Sequence, residues 1–431
     1  MKTYNYKKLS AAQYEKLYAR PFIDLEAALK EVKPMLEDIK KNGLKAVLKY
    51  SKALDGFNGK HMLVQPEEYE QAERDLDPEA KKALNTAFNN IAAFHRKQKP
   101  AGYEIETMPG VKCSREYRAI ENVGLYVPGG SAVLPSTMLM LGIPAKLAGC
   151  KRIVACSPTK YGRINNALLY AAKLTGVTEF YKIGGAQAIG LMAYGAGSIM
   201  KVSKIFGPGN HYVTAAKMLV SIDMKGCPID MPAGPSEVLI IADSKANPAF
   251  IAADLLSQAE HGKDSQTVLV STSEKVVKET LEQIKEQVKL LPRKKMAAEA
   301  IKTSFALLVD TIDEAIEVSN DYAPEHLILH VNQADKYKSM IINAGSVFLG
   351  GYSPESVGDY ASGTNHALPT YGYAKSAGGV TVESFMKPIS FQSLTKEGLE
   401  IIGPTVETIA ETEGLAAHKN SVTLRLRGNR K

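Results

Sequence analysis

The chain has 431 residues, 45% hydrophobic and 23% charged, with a formal charge of +7 and a pI near 8.9, the balance of a globular protein long enough for two or three domains. The positive excess does not point to nucleic acid: lysines alternate with glutamates over residues 274–285, and the basic patches at Lys7-Lys8 and 425–431 hold no interleaved aromatics. No apolar run reaches membrane-spanning length, residues 1–8 lack the apolar core of a secretory leader, and four scattered cysteines (Cys113, Cys150, Cys156 and Cys227) without metal-type spacing fit the cytoplasm.

In chain order, residues 1–110 read mainly as helix, with apolar residues at helical spacing over 25–48 and again over 78–94. The texture changes at Val123. Short β-rich runs at 123–127, 152–156, 179–183, 238–241, 267–270, 327–331 and 347–349 alternate with helical stretches such as 164–174, 212–219 and 276–290. That alternation predicts βαβ units and parallel sheets, with strands enough for two. Glycine-rich turns fall at Pro128-Gly129-Gly130, Gly184-Gly185, Gly207-Pro208-Gly209-Asn210 and Ala233-Gly234-Pro235-Ser236. Each is either a ligand loop at a strand end or a tight connection. The usual dinucleotide fingerprint, Gly-x-Gly-x-x-Gly opening a helix with an acid about 20 residues on, is absent from the sequence.

Residues 247–256 predict a helix, with Asn247 as N-cap, Pro248 in the first position and Gly262 past its end. Gln258 and His261, three residues apart, then offer an amide oxygen and an imidazole to one point at the carbonyl-rich end, where a cation is favoured. Glu325-His326 follows Ala323-Pro324 and enters a strand, where adjacent side chains point to opposite faces. An imidazole titrates near neutrality and suits a general base. Residues 350–369 read as a long loop with little helix or strand signal, rich in glycine and carrying Asp359 and His366. Residues 403–417 read as helix, and 421–427 as a short, basic tail with alternating apolar residues.

Of the eight histidines, His61 and His95 stand in helical surface texture and His330 in an apolar strand, which makes them structural; His211 is ambiguous. His261, His326, His366 and His418 stand beside carboxylates or in glycine-rich segments. Spacing alone does not establish that such distant residues converge, so a metal site stays open at this level.

The chain resembles histidinol dehydrogenase over nearly its whole length. The resemblance is carried by Leu125-Tyr126-Val127-Pro128-Gly129-Gly130, Ile183-Gly184-Gly185-Ala186-Gln187-Ala188-Ile189, Phe206-Gly207-Pro208-Gly209-Asn210 and Asp230-Met231-Pro232-Ala233-Gly234-Pro235-Ser236-Glu237. Further along it is carried by Ser257-Gln258-Ala259-Glu260-His261, Ala323-Pro324-Glu325-His326-Leu327, Gly358-Asp359-Tyr360 and Gly363-Thr364-Asn365-His366.

The resemblance implies an α/β fold of two Rossmann-like domains, their parallel-type sheets flanked by helices, with a small N-terminal helical segment and a C-terminal helical tail. It draws the domains as residues 1–24; 25–110 with 238–382, carrying the metal ligands and bases; 115–237, binding cofactor; and 383–431, a tail exchanged across a homodimer. Leu399, Ile401, Ile402 and Leu415 are that tail's candidate apolar contacts. The implied activity is the zinc- and NAD-dependent, four-electron oxidation of L-histidinol to L-histidine through the aldehyde, in the last steps of histidine biosynthesis.

By motif, one Zn2+ per subunit falls to Gln258, His261, Asp359 and His418. Catalysis falls to Glu325 and His326, substrate contacts to Ser236, His366 and Glu413 besides the metal ligands and His326, and NAD+ to Tyr126, Gln187 and Asn210. The rival readings are another zinc- and NAD-dependent dehydrogenase, a zinc hydrolase, a non-enzymatic binding module, and the same oxidation with Cys113 or Cys150 attacking the aldehyde.

Overall fold

A computed structural model describes residues 1–20, 25–57, 59, 61–129, 133–159, 162–231 and 234–428. Gly130, Pro232 and Ala233 of the glycine-rich turns, and the end of the N-terminal segment at 21–24, lie outside the described residues. The chain divides into one compact unit of residues 1–98 and 120–385 and a second of 99–119 and 386–431.

The first unit holds two parallel sheets. One has six strands in the order Lys2–Asn5, Phe305–Leu308, Gln266–Ser271, Glu237–Ala242, His326–His330 and Ser346–Leu349. Its central strands are near-continuous apolar runs because helices cover both faces. Val238, Ile240, Leu269 and Ile328 pack against the helices Pro248–Ala259, Glu274–Gln287 and Lys294–Thr303. Leu239, Ile241, Leu327 and Leu329 face the other way, towards the helix Ile312–Tyr322. The second sheet orders Glu179–Tyr181, Arg152–Cys156, Asn122–Tyr126 and Lys204–Phe206. These are the parallel α/β layers that the strand–helix alternation predicts.

The helix Leu25–Asn42 packs on the four-stranded sheet. Ala28, Val32, Leu36 and Ile39 of the helix Leu25–Asn42 share a core with Val154, Ile189, Met192 and Val220. They cover the four-stranded sheet rather than the six-stranded one. Gly190 makes this approach close: a Cβ there would stand 2.9 Å from the Ile39 side chain.

The second unit contains an antiparallel sheet of Met386–Leu394, Val111–Ala119 and Tyr103–Met108, and the helix pair Lys396–Thr412 and Ala416–Arg427. The strand Tyr103–Met108 lies inside the region expected to be helical. Its six residues are all exposed, so its alternating Tyr103 and Ile105 mark a strand without a buried face. Residues 421–427 are helical rather than an alternating tail, because Val422 and Leu426 both pack on Gly403 of the preceding helix, four apart on one helical face.

Candidate active site

The Gln258–His261 pair forms as the capping signals indicate. The Asn247 side chain accepts from Ala249 N–H, Pro248 takes the first turn, and the helix runs Pro248–Ala259. His261 lies beyond that end, yet its N–H donates to the Gln258 carbonyl at 3.2 Å, so one more turn keeps both residues together.

His326 opens its strand beside Val238. Its Nδ1 lies 3.1 Å from the Glu237 carbonyl oxygen. A carbonyl can only accept, so Nδ1 carries the hydrogen and Nε2 is the basic nitrogen of the neutral ring. Nε2 has no hydrogen-bond partner among the described residues, although Asp359 Oδ1 stands 3.3 Å away. Glu237 also donates its backbone N–H to Glu325 Oε2 at 2.8 Å. One peptide residue therefore holds both neighbouring side chains. Glu325 and His326 do not serve opposite faces: Glu325 Oε2 is 3.5 Å from His326 Nδ1, and both line one cavity. The strand begins only at His326, so strand alternation does not govern Glu325. Arg20 anchors Glu237 from the far side through Nε and Nη2, at 3.1 and 3.2 Å.

Within 350–369, residues Glu355–Tyr360 form a short helix rather than a featureless loop. Its first residue follows Pro354, and Gly358 sits so close to Phe348 that a Cβ would meet the ring at 2.4 Å. Glu355 and Asp359 are one turn apart and share a face. Ligand atoms of His261, Glu355 and Asp359 lie within 4.8 Å of one another. Gln258, fully buried, presents its amide to Glu355 on one side and to Glu237 N–H on the other.

Gln258, His261, Glu325, His326 and Asp359 border a cavity of about 730 Å³ that is also lined by Ser236, Asn210, His211, Arg293 and His366. His366 Nε2 lies 3.2 Å from Thr137 Oγ1. Asn210 caps the helix His211–Ile222 by accepting from Val213 N–H. Tyr126 and Gln187 are together but are not among the residues lining this cavity. Gly185 N–H donates to the Tyr126 hydroxyl at 3.0 Å, and Asp55 accepts from Gly184 N–H and from Gln187 Nε2 at 3.0 and 2.9 Å. Glu413 and His418 belong to the second unit: Glu413 closes the helix Lys396–Thr412, His418 lies in the next helix, and both are exposed. Asp55, Arg20 and Glu355 escaped the sequence reading; only the i, i+4 spacing of Glu355 and Asp359 could have marked one of them.

The electrostatics follow from burial. Burial raises Glu325, against the pull of His326. Burial opposes a charge on His326, but Glu355, Glu325 and Asp359 outweigh it and hold the imidazole above its ordinary value. Burial likewise works against the Asp359 carboxylate, which contacts with His326, His366 and His261 nevertheless keep below the usual range. Glu325, Glu355 and Asp359 thus crowd the buried His326 imidazole, an arrangement suited to a cation.

A model of the histidinol dehydrogenase family matches residues 18–426. The chain belongs to the histidinol dehydrogenase family. It is 52% identical over 429 residues to "Histidinol dehydrogenase, chloroplastic" of Arabidopsis thaliana, covering 99% of this chain and 92% of that one. It is 50% identical over 418 residues to "Histidinol dehydrogenase" of Bacteroides thetaiotaomicron, covering 97% of each. The crystal structure of histidinol dehydrogenase from Elizabethkingia anophelis superposes with a TM-score of 0.94 at 50% identity, over 99% of this chain and 98% of that chain. The chain is thus an oxidoreductase of this family, and both α/β layers and the helical tail are those of the histidinol dehydrogenase fold. Among the described residues, no helix is long and apolar enough to cross a membrane.

The donor set suits the metal that the family implies. Gln258, His261 and Asp359 supply an amide, an imidazole and a carboxylate to the lining of one cavity, the oxygen and nitrogen chemistry that zinc accepts.

Proposed function

We propose that this chain oxidises L-histidinol to L-histidine through L-histidinaldehyde, with Gln258, His261 and Asp359 holding Zn2+ and two NAD+ taking the hydrides. The observation that carries this reading is the placement of His326: its Nδ1 is tied to the Glu237 carbonyl, and its unpartnered Nε2 stands 3.3 Å from Asp359 at the cavity. Zinc, when bound, serves as a template that orients the substrate's amine and imidazole.

His326 takes the hydroxyl proton at Nε2 as the carbinol carbon loses hydride to the first NAD+, which yields aldehyde and NADH. Glu325 takes a proton from the water that adds to the aldehyde while His326 returns its proton to the aldehyde oxygen, which restores the neutral imidazole; burial keeps the Glu325 carboxylate basic enough for that transfer. His326 then takes a proton from the hydrate as the second hydride leaves, and the carboxylate product forms. Ser236 and His366 flank the substrate's place in the cavity.

In this reading the four-stranded layer receives NAD+ through Tyr126, Gln187 and Asn210, and the six-stranded layer carries the bases and the metal. The exposed His418 and Glu413 reach the partner subunit's site in a homodimer, with His418 as fourth ligand. Ile401 and Leu415, 47% and 42% exposed, are apolar surface available to such an interface. The enzyme works in the cytoplasm, on a small molecule, with neither nucleic acid nor membrane as partner. Absorbance at the NADH band, titrated against limiting L-histidinol, tests the reading: two NADH per histidinol are expected, and one NADH, or none, overturns it.

A further inference from the structure

Glu355 has no role in the reaction as derived, yet it is among the most buried acids of the chain, 1% exposed. One of its oxygens meets the Gln258 side-chain amide. The other, Oε2, has no hydrogen-bond partner among the described residues. The Gln258 amide is thus held between two groups of opposite kind. Glu355 Oε1 accepts from the amide NH2, and the Glu237 backbone N–H, 2.9 Å away, can only donate. A single orientation satisfies both, with the NH2 towards Glu355 and the oxygen on the other side.

We propose that Glu355 is a positioning residue that fixes the Gln258 amide with its oxygen, and not its NH2, available to the metal beside His261 and Asp359. The inference rests on the zinc reading above. An amide ligates a cation through oxygen only, and a half-turn about its last side-chain bond would present two N–H donors instead. Without the Glu355 acceptor, the Gln258 NH2 is buried unpaired and the orientation is held from one side alone. Glu355 is also placed to act at this distance from both other ligands, since its carboxylate lies within 4.8 Å of the His261 and Asp359 ligand atoms. Outer partners of metal ligands typically govern about 10–100-fold in metal affinity.

The test measures zinc release from the purified holoenzyme to a chromogenic chelator, with the visible spectrum of the cobalt-substituted protein as a second readout. Glu355→Leu should lose zinc affinity by about 10–100-fold and change the cobalt spectrum. Glu355→Gln, whose amide oxygen still accepts from Gln258, should stay near the parent in both. A Glu355→Leu protein that folds and holds zinc as tightly as the parent overturns the proposal. So does a Glu355→Gln protein that loses zinc as Glu355→Leu does, because the carboxylate charge would then be the operative property. Glu355→Gln decides the matter alone if the apolar variant does not fold. A parent that binds no zinc defeats the zinc reading itself, whereas a tight parent with an indifferent Glu355→Leu defeats only this inference.

Discussion

His326 is tied to Glu237 by a hydrogen bond from Nδ1 to the backbone carbonyl at 3.1 Å, which leaves the opposite ring nitrogen as the basic one. The bond joins neighbouring strands at their ends, where His326 pairs with Val238. The imidazole is therefore oriented by main chain rather than by a mobile side chain, an orientation the sheet itself maintains. His326→Gln removes the base but none of the residues assigned to the metal. Steady-state kinetics should show kcat reduced by about 10²–10⁴, with zinc content unchanged. A variant with near-parental kcat would show that another group takes the proton.

Arg20 stabilises that arrangement from below. Its side chain is 11% exposed and its partner Glu237 1% exposed, and the guanidinium lies 3.9 Å from the centre of the Tyr322 ring. Removing one member of a buried pair leaves the other charge uncompensated. Arg20→Met should cost about 3–5 kcal/mol in denaturant unfolding, and Arg20→Met combined with Glu237→Gln should cost less than the single change. A double-variant loss equal to the sum of the separate Arg20→Met and Glu237→Gln losses would mean that the pair is not coupled.

Asp254 gives the fold a pH dependence. Burial raises this carboxyl from 3.8 to about 7. The folded state thus binds the proton more tightly than the unfolded chain. The group's contribution is fully present below pH 3.8 and is lost as pH rises through about 7. Asp254→Asn, neutral at every pH, should be more stable than the parent at pH 8, by about 1–2 kcal/mol after allowance for partial exposure, and close to it at pH 4. Chemical denaturation at the two pH values decides; an equal difference at both would contradict the shift.

Burial also bears on Cys150 as a candidate nucleophile. Burial pushes the Cys150 thiol up to about 12, so at pH 8 only about one molecule in ten thousand carries the thiolate. Cys150→Ser should keep kcat within about twofold, and iodoacetamide should leave Cys150 unmodified in the native protein by mass spectrometry. A hundredfold loss of kcat would restore thiol attack on the aldehyde.

The parts legible in the sequence are those whose apolar pattern is strong. The runs Val238-Leu239-Ile240-Ile241 and Leu327-Ile328-Leu329 are strands because both faces are covered, and Asn247-Pro248 starts its helix by local hydrogen bonding. The antiparallel sheet was not legible, since Tyr103–Met108 and Met386–Leu394 are largely exposed and present no buried face. The helical turn at Glu355–Tyr360 was hidden by Gly358 and its six-residue length. The convergence of Gln258, Glu325, His326 and Asp359 is set by the order of strands in the sheet, which places Glu237–Ala242 beside His326–His330. No local spacing encodes that adjacency. Family motifs pointed to these positions, whereas Glu355 and Arg20 carry no motif and emerged only from burial and hydrogen bonding.

The most direct measurement is anomalous scattering at the zinc edge from crystals of the active protein soaked with L-histidinol. The account predicts one metal peak per chain, about 2.0–2.3 Å from Gln258, His261 and Asp359, with His326 beside the bound substrate. A peak elsewhere, or none in protein that turns over histidinol, would contradict it.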